Sequence, residues 1–328
     1  MRQDGRARIA RADAHRYEML AGEPVLRVHP GQEFVVETED AFNGAIRSSH
    51  QVPRTETLDP LPPNPCVGPI AVEGAAPGDV LAVDIVDIVP AAEGAHCIFA
   101  GEGALADSAS YPDCRGPYAR LIQHLAGPSG TTSDGYGVFA EGVRWALQPH
   151  IGTIGVAPRR PVAAGADTLT GQGRHGGNID CRDIRRGTTV LLPVEVDGAC
   201  LYVGDVHASM ADGEWVGNAD ECAAELTLRC RLLPGRLPWP RVETESSIIQ
   251  LASGKPLEAA VRQAFLWLMD WLVADYGLPA REAYMQLGVN PGVRIHVYQL
   301  VDLGRLAYTV GVGFPREQLP RQPKELPA

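Results

Sequence analysis

Strand-like alternation of apolar and polar positions dominates the first ninety residues. Glu33-Phe34-Val35-Val36-Glu37-Thr38 and Asp79-Val80-Leu81-Ala82-Val83-Asp84-Ile85 follow this period, with turn signals between them, and are expected to be β. Residues 60–69 form a proline-rich connection: Pro62, Pro63 and Pro65 exclude helix, so an ordered or extended loop is expected. From about Pro90 to Gly137 the pattern weakens, and the one helical candidate is short, around Tyr118 to Leu125. Strand patterning returns at Val143-Arg144-Trp145-Ala146-Leu147. Gly152-Thr153-Ile154-Gly155-Val156-Ala157-Pro158 reads as a close-packed strand whose glycines admit a neighbouring backbone, ended by Pro158.

The sharpest local signal is Asp197-Gly198 between two β-rich runs, a favoured two-residue turn. It predicts a hairpin of Thr188–Val196 against Ala199–Val206, with Val190 facing Asp205 and Thr188 facing His207. In the last third the period changes to that of a helix. Val261, Ala264, Phe265, Leu268 and Leu272 predict a helix over about 256–276, stopped at Gly277, and Pro279 opens a second over about 280–288. Trp267 and Trp271 are read as core packing. Arg294 to Leu300 and Arg305 to Val312 predict a closing hairpin around Asp302-Leu303-Gly304. The expected organisation is therefore mostly β, with residues 1–235 as a β-rich region and 236–328 as an α+β portion.

Composition narrows the function. The 328 residues carry a formal charge of -11 and no cluster of Lys or Arg, which argues against nucleic acid or an anionic membrane as partner. No apolar leader is seen, and the most apolar helical window, Val261 to Val273, is too short to span a bilayer and contains Arg262 and Asp270. Seven cysteines without any C-x-x-C spacing fit reduced thiols in the cytoplasm better than a disulfide frame or a thiolate zinc site.

The candidate chemistry is concentrated in some forty residues: His175-Gly176-Gly177-Asn178-Ile179-Asp180, then Gly204-Asp205-Val206-His207, then Asp212-Gly213-Glu214. Asp205 and His207 lie two apart on a strand, so both can reach one cation. An unpaired carboxylate on an apolar stripe is costly, and a metal ion supplies the missing partner. Gly176 and Gly177 could present backbone N–H groups to an anion, with Asn178 either donating to a substrate carbonyl or closing a local turn. Asp212-Gly213 also reads as a plain turn. His50 and Asn64 are candidate pocket residues in polar loops.

Several motifs taken in order resemble the acetamidase/formamidase family. They are Asn64-Pro65 with Gly68-Pro69-Ile70, Val72-Glu73-Gly74-Ala75 with Pro77-Gly78-Asp79, Ile154-Gly155-Val156-Ala157-Pro158, Gly176-Gly177-Asn178-Ile179-Asp180, Leu192-Pro193-Val194, Gly204-Asp205-Val206-His207-Ala208 and Glu282-Ala283-Tyr284. The resemblance implies a jelly-roll-like sandwich with a β-barrel-like portion, a homo-oligomer, and hydrolysis of short amides to carboxylate and ammonia, in some members with zinc. The chain departs from the pattern at Ala211, at Trp215 and at Asn290-Pro291.

Together these readings lead to an expected metal-dependent amidohydrolase. A divalent metal, zinc by resemblance, is assigned to Asp180, Asp205 and His207. Glu214 is the general base, Asn178 and Gly177 hold the oxyanion, and His50, Asn64, Asp212 and Trp215 line the substrate pocket. A lactam hydrolase of the same family, a cupin-like metalloenzyme of another class and a non-catalytic binding protein are the alternatives.

Overall fold

The computed structural model describes residues 5–11, 15–51, 62–159 and 165–320. Two large sheets hold nearly all of its regular structure. In spatial order, the nine strands of the first are Ala7–Ile9, Glu33–Thr38, Ala224–Leu233, Val80–Pro90, Thr189–Pro193, Arg241–Glu243, Ser247–Gly254, Tyr308–Pro315 and Arg294–Gln299. The second sheet has twelve strands, and its centre is Leu201–His207 between His150–Val156 and both Cys66–Val72 and Glu221–Cys222. Strands from both sides of residue 235 share the first sheet, where Thr189–Pro193 pairs with Arg241–Glu243.

The main core lies between the sheets. Phe34, Leu81, Val83 and Leu226 of the first meet Ile151, Ile154 and Val203 of the second, all buried. The helices Leu257–Ala274 and Ala280–Val289 cover the other face of the first sheet. There Val80, Ala82, Leu191, Val310 and Phe314 pack on Ala260, Ala264, Leu268 and Trp271. A strand covered on both faces needs apolar residues at every position, which explains the unbroken run Val80-Leu81-Ala82-Val83. Trp271 is buried and Trp267 stacks on Trp239, with ring centroids 5.3 Å apart.

Four expectations are corrected. The predicted hairpin around Asp197-Gly198 does not exist: Thr189–Pro193 belongs to the first sheet and Leu201–His207 to the second. The turn itself forms, with Ala199 N–H donating to Val196 O at 3.0 Å. Ala199 and Cys200 then take φ of 60° and 55° and swing the chain across the core. Second, Tyr118–Leu125 is a strand paired on both sides, because neighbouring strands supply backbone partners that a short isolated helix would lack. Third, the proline-rich connection ends in a strand, Cys66–Val72; its first part, through residue 61, lies outside the described residues. Fourth, among the described residues neither sheet closes into a barrel. The C-terminal hairpin forms as expected, Arg294–Gln299 against Tyr308–Pro315.

Candidate metal and catalytic centre

Three adjacent strands set a row of side chains across the second sheet. Register places His150 beside His207, and His207 beside Glu221. Asp205 precedes this row, and Asp180 enters where its N–H donates to Gly152 O at 3.0 Å. The groups converge over Gly152. A Cβ there would lie 2.6 Å from Asp205 Oδ2, 2.7 Å from Asp180 Oδ1 and 2.8 Å from His207 Cε1, so only glycine fits the floor. Glu214 descends from the loop after Ala208. Potential ligand atoms of Asp180, Asp205 and His207 lie within 4.8 Å of one another, as do those of His207, Glu214 and Glu221.

The backbone is bent to achieve this. Asp180, Asp205 and Glu214 have φ of 46°, 56° and 48°, and Asn64 beside them 66°. Left-handed φ in a residue with a Cβ costs of order 1 kcal/mol. Its concentration at one locus marks a place where side-chain aim outweighs backbone comfort.

Second contacts fix the aim. The Thr153 hydroxyl lies 3.0 Å from both Asp205 Oδ2 and Asn178 Oδ1. Asn64 Nδ2 donates to that hydroxyl at 3.2 Å and to Thr168 O at 2.7 Å. Gln299 Nε2 donates to Asp180 Oδ2 at 3.3 Å, and Ala219 N–H to Glu221 Oε1 at 2.8 Å. His150 Nδ1 faces Gln148 O at 2.9 Å, and a carbonyl can only accept, so that nitrogen bears the proton. His150 Nε2 then accepts from His207 Nδ1 at 3.2 Å. This chain turns His207 Nε2 towards Asp205 Oδ1 and Glu221 Oε2, each 3.4 Å away.

Four carboxyls thus share a buried site with the His207 imidazole. Burial, reinforced by Asp205, pushes Asp180 up to about 7. Burial raises Glu214 well above the carboxylate range, with Asp180 adding to it. Glu221 is also raised by burial, against the pull of His207. Burial works to raise Asp205 too, but His207 outweighs it and holds that carboxyl below its usual range. His207 is held well above an ordinary histidine, since Glu221 and Asp205 overcome its burial. Burial and the neighbouring His207 push His150 down to about 3, which keeps it neutral.

The other candidates fall elsewhere. Asp212 is exposed and lies 3.4 Å from Arg182 Nη1. His50 is exposed, edge-on to Tyr118. Asn64 is buried and supports Asp205 rather than lining a pocket. Gly177 and Asn178, expected to hold the oxyanion, lie in a paired strand. Gly176 and Gly177 form a strand paired on both sides, and added Cβ atoms would come within 2.3 Å of Ile154 O and 2.1 Å of Gly171 O. Close backbone approach, not a nest, requires these glycines. Asn178 Nδ2 donates to Leu169 O at 2.7 Å. His175 is wholly buried and stands in neither ligand group.

Sequence reasoning missed Glu221, His150 and Gln299. Glu221 carried a usable signal, because Asp220-Glu221 abuts the apolar Cys222-Ala223-Ala224. His150 and Gln299 gain meaning only from the strands beside them.

A cavity of about 520 Å³ opens beside the cluster. Glu214 lines it, whereas Asp180, Asp205, His207 and Glu221 do not, so Glu214 stands between cavity and cluster. Trp215, half-exposed, stands at its edge.

This open two-sheet sandwich, with a glycine-floored acid and imidazole centre below a cavity, defines a class of β-rich hydrolase. The chain belongs to the acetamidase/formamidase family, whose model matches residues 21–165 and 159–317. It is an amide hydrolase acting on carbon–nitrogen bonds other than peptide bonds. A putative formamidase of Schizosaccharomyces pombe is 26% identical, covering 87% of this chain and 85% of its own. The crystal structure of an acetamidase from Bacillus halodurans matches with TM-score 0.83 and 32% identity, over 94% of this chain and 97% of its own. An acetamidase from Yersinia enterocolitica matches with TM-score 0.82 and 33% identity, over 94% and 90%.

Proposed function

We propose that the protein hydrolyses a small amide to carboxylate and ammonia with the help of one divalent cation, for which zinc is our choice. One observation carries the cation. Asp180 Oδ1, His207 Nε2 and Glu221 Oε2 are buried atoms with no hydrogen-bond partner, and all three belong to the two overlapping ligand groups. Buried polar atoms without partners are expensive. Three in one place, on an oxygen-rich set with one imidazole, suit a cation with mixed carboxylate and imidazole ligands.

In this reading Asp180, Asp205 and His207 hold the ion, and Glu221 stands ready as a further oxygen. When bound, such an ion polarises an amide carbonyl and makes water a better nucleophile near neutral pH. Glu214 takes the proton from the attacking water and returns it to the leaving nitrogen. His150 keeps His207 in one tautomer throughout.

The experiment is ammonia release from a panel of short amides, with and without chelator, beside metal analysis of the purified protein. Turnover that is lost on chelation and restored by zinc supports the reading. Full activity in metal-free protein would discard the cation.

A further inference from the structure

We infer that the cavity beside Glu214 is an aryl-binding pocket, and that the preferred substrates are primary amides of aryl or arylalkyl carboxylic acids rather than formamide or acetamide. The inference rests on the amidase reading of the same site and names its substrate class.

Size is the first argument. At about 30 Å³ per water-sized group, the three heavy atoms of formamide would occupy roughly 90 Å³. The cavity measures about 520 Å³. A substrate that fills so little of it would leave apolar walls facing water, and three of the wall residues, Phe139, Trp145 and Trp215, are aromatic, beside polar groups such as Gln148, Arg182 and Asn218. Ile122, Phe139, Trp145, Met210 and Trp215 all line the space that Glu214 borders.

The second argument is that the wall is built, not incidental. The Phe139 and Trp145 rings lie 5.8 Å apart between centroids, tilted by 37°. The Arg120 guanidinium sits 4.5 Å from the centroid of the Phe139 ring. Trp145 Nε1 donates to Ser209 Oγ at 2.9 Å, and Ser209 Oγ reaches Asp220 Oδ2 at 3.4 Å. That carboxylate is itself held by buried His124 at 3.1 Å. A buried ion pair therefore anchors the indole through one hydroxyl, which leaves an aromatic surface fixed for stacking. Trp215 at the edge is 56% exposed and offers a further indole face to a bound aryl group.

The arrangement thus puts the acyl group against aromatic walls and the amide carbon towards Glu214. Hydrolysis would release an aryl or arylalkyl carboxylate and ammonia.

The test compares kcat/KM for acetamide, benzamide and phenylacetamide, read as ammonia release. The wild type should favour the aromatic amides by about tenfold or more. Trp145→Ala should lower the ratio of aromatic to acetamide kcat/KM by about tenfold, and Met210→Trp, which fills the cavity without removing its anchor, should lower it as well. A preference for acetamide, or a ratio that neither variant moves, overturns the inference. Binding of phenylacetamide to Glu214→Gln protein, followed by tryptophan fluorescence, separates the two readings. Trp145-dependent binding without turnover of any amide by the wild type would sink the amidase reading and leave the aryl pocket standing. No binding, whatever the turnover, sinks the pocket.

Discussion

Two buried histidines of the second sheet, on strands with two others between them, meet acids in different ways. His124 faces one carboxylate, Asp220, and its other nitrogen meets Ala91 O at 2.7 Å, so both ring nitrogens are satisfied. His207 shares its site with four carboxyls, and its Nε2 has no hydrogen-bond partner. Asp220 and Glu221 are neighbours in sequence yet turn to different histidines. At His124 the imidazole is satisfied at both nitrogens, although Asp220 Oδ1 has no hydrogen-bond partner, and this pairing is structural. An unbalanced set with orphaned atoms is poised to receive something, and perturbed ionisation gathers there.

The contrast can be broken experimentally. Glu214→Gln should lower amide turnover by about 10²- to 10⁴-fold while keeping the bound cation, measured by ammonia release beside elemental analysis; undiminished turnover would move the base elsewhere. His207→Ala should abolish stoichiometric metal in the same analysis. At the other cluster, His124→Ala strands the buried Asp220 carboxylate and should destabilise the fold by about 3–5 kcal/mol in denaturant unfolding, with metal content unchanged. Removal of His150, as His150→Phe, should weaken metal affinity by about 10- to 100-fold in a chelator competition, because His207 loses its tautomer partner.

The smallest effect is a pH dependence. Burial works to lower His124, but the hydrogen bond and charge of Asp220 outweigh it and raise the imidazole above an ordinary histidine. A raised folded value means the folded state binds the proton more tightly. Its stabilisation is fully present below about 6.5 and is lost as pH rises through the raised value. The thermal midpoint of the wild type should therefore fall across that window more steeply than that of His124→Ala, and parallel curves would remove this account.

Two apparent hairpins show what was legible. Arg294–Gln299 and Tyr308–Pro315 pair as their pattern suggests, around a connection of ordinary chemistry. The run around Asp197-Gly198 has the stronger turn, yet its arms part to different sheets. Every residue of Leu201–His207 is buried, so its composition fits any interior position and specifies no partner. The crowding of Asp180, Asp205, His207 and Glu214 was visible in the chain, whereas the exposure of Asp212, the pairing of the glycine strand and the arrival of Glu221 were not.

The sequence by itself determined a mostly β chain with two late helices and a family signature, because period, turn chemistry and motif order are local properties. Which acids meet over Gly152, which histidine is satisfied and which is left open were decided only in the tertiary structure. The reason is that His150, His207 and Glu221 belong to three strands whose register is set by packing between two sheets, and no local pattern encodes that register.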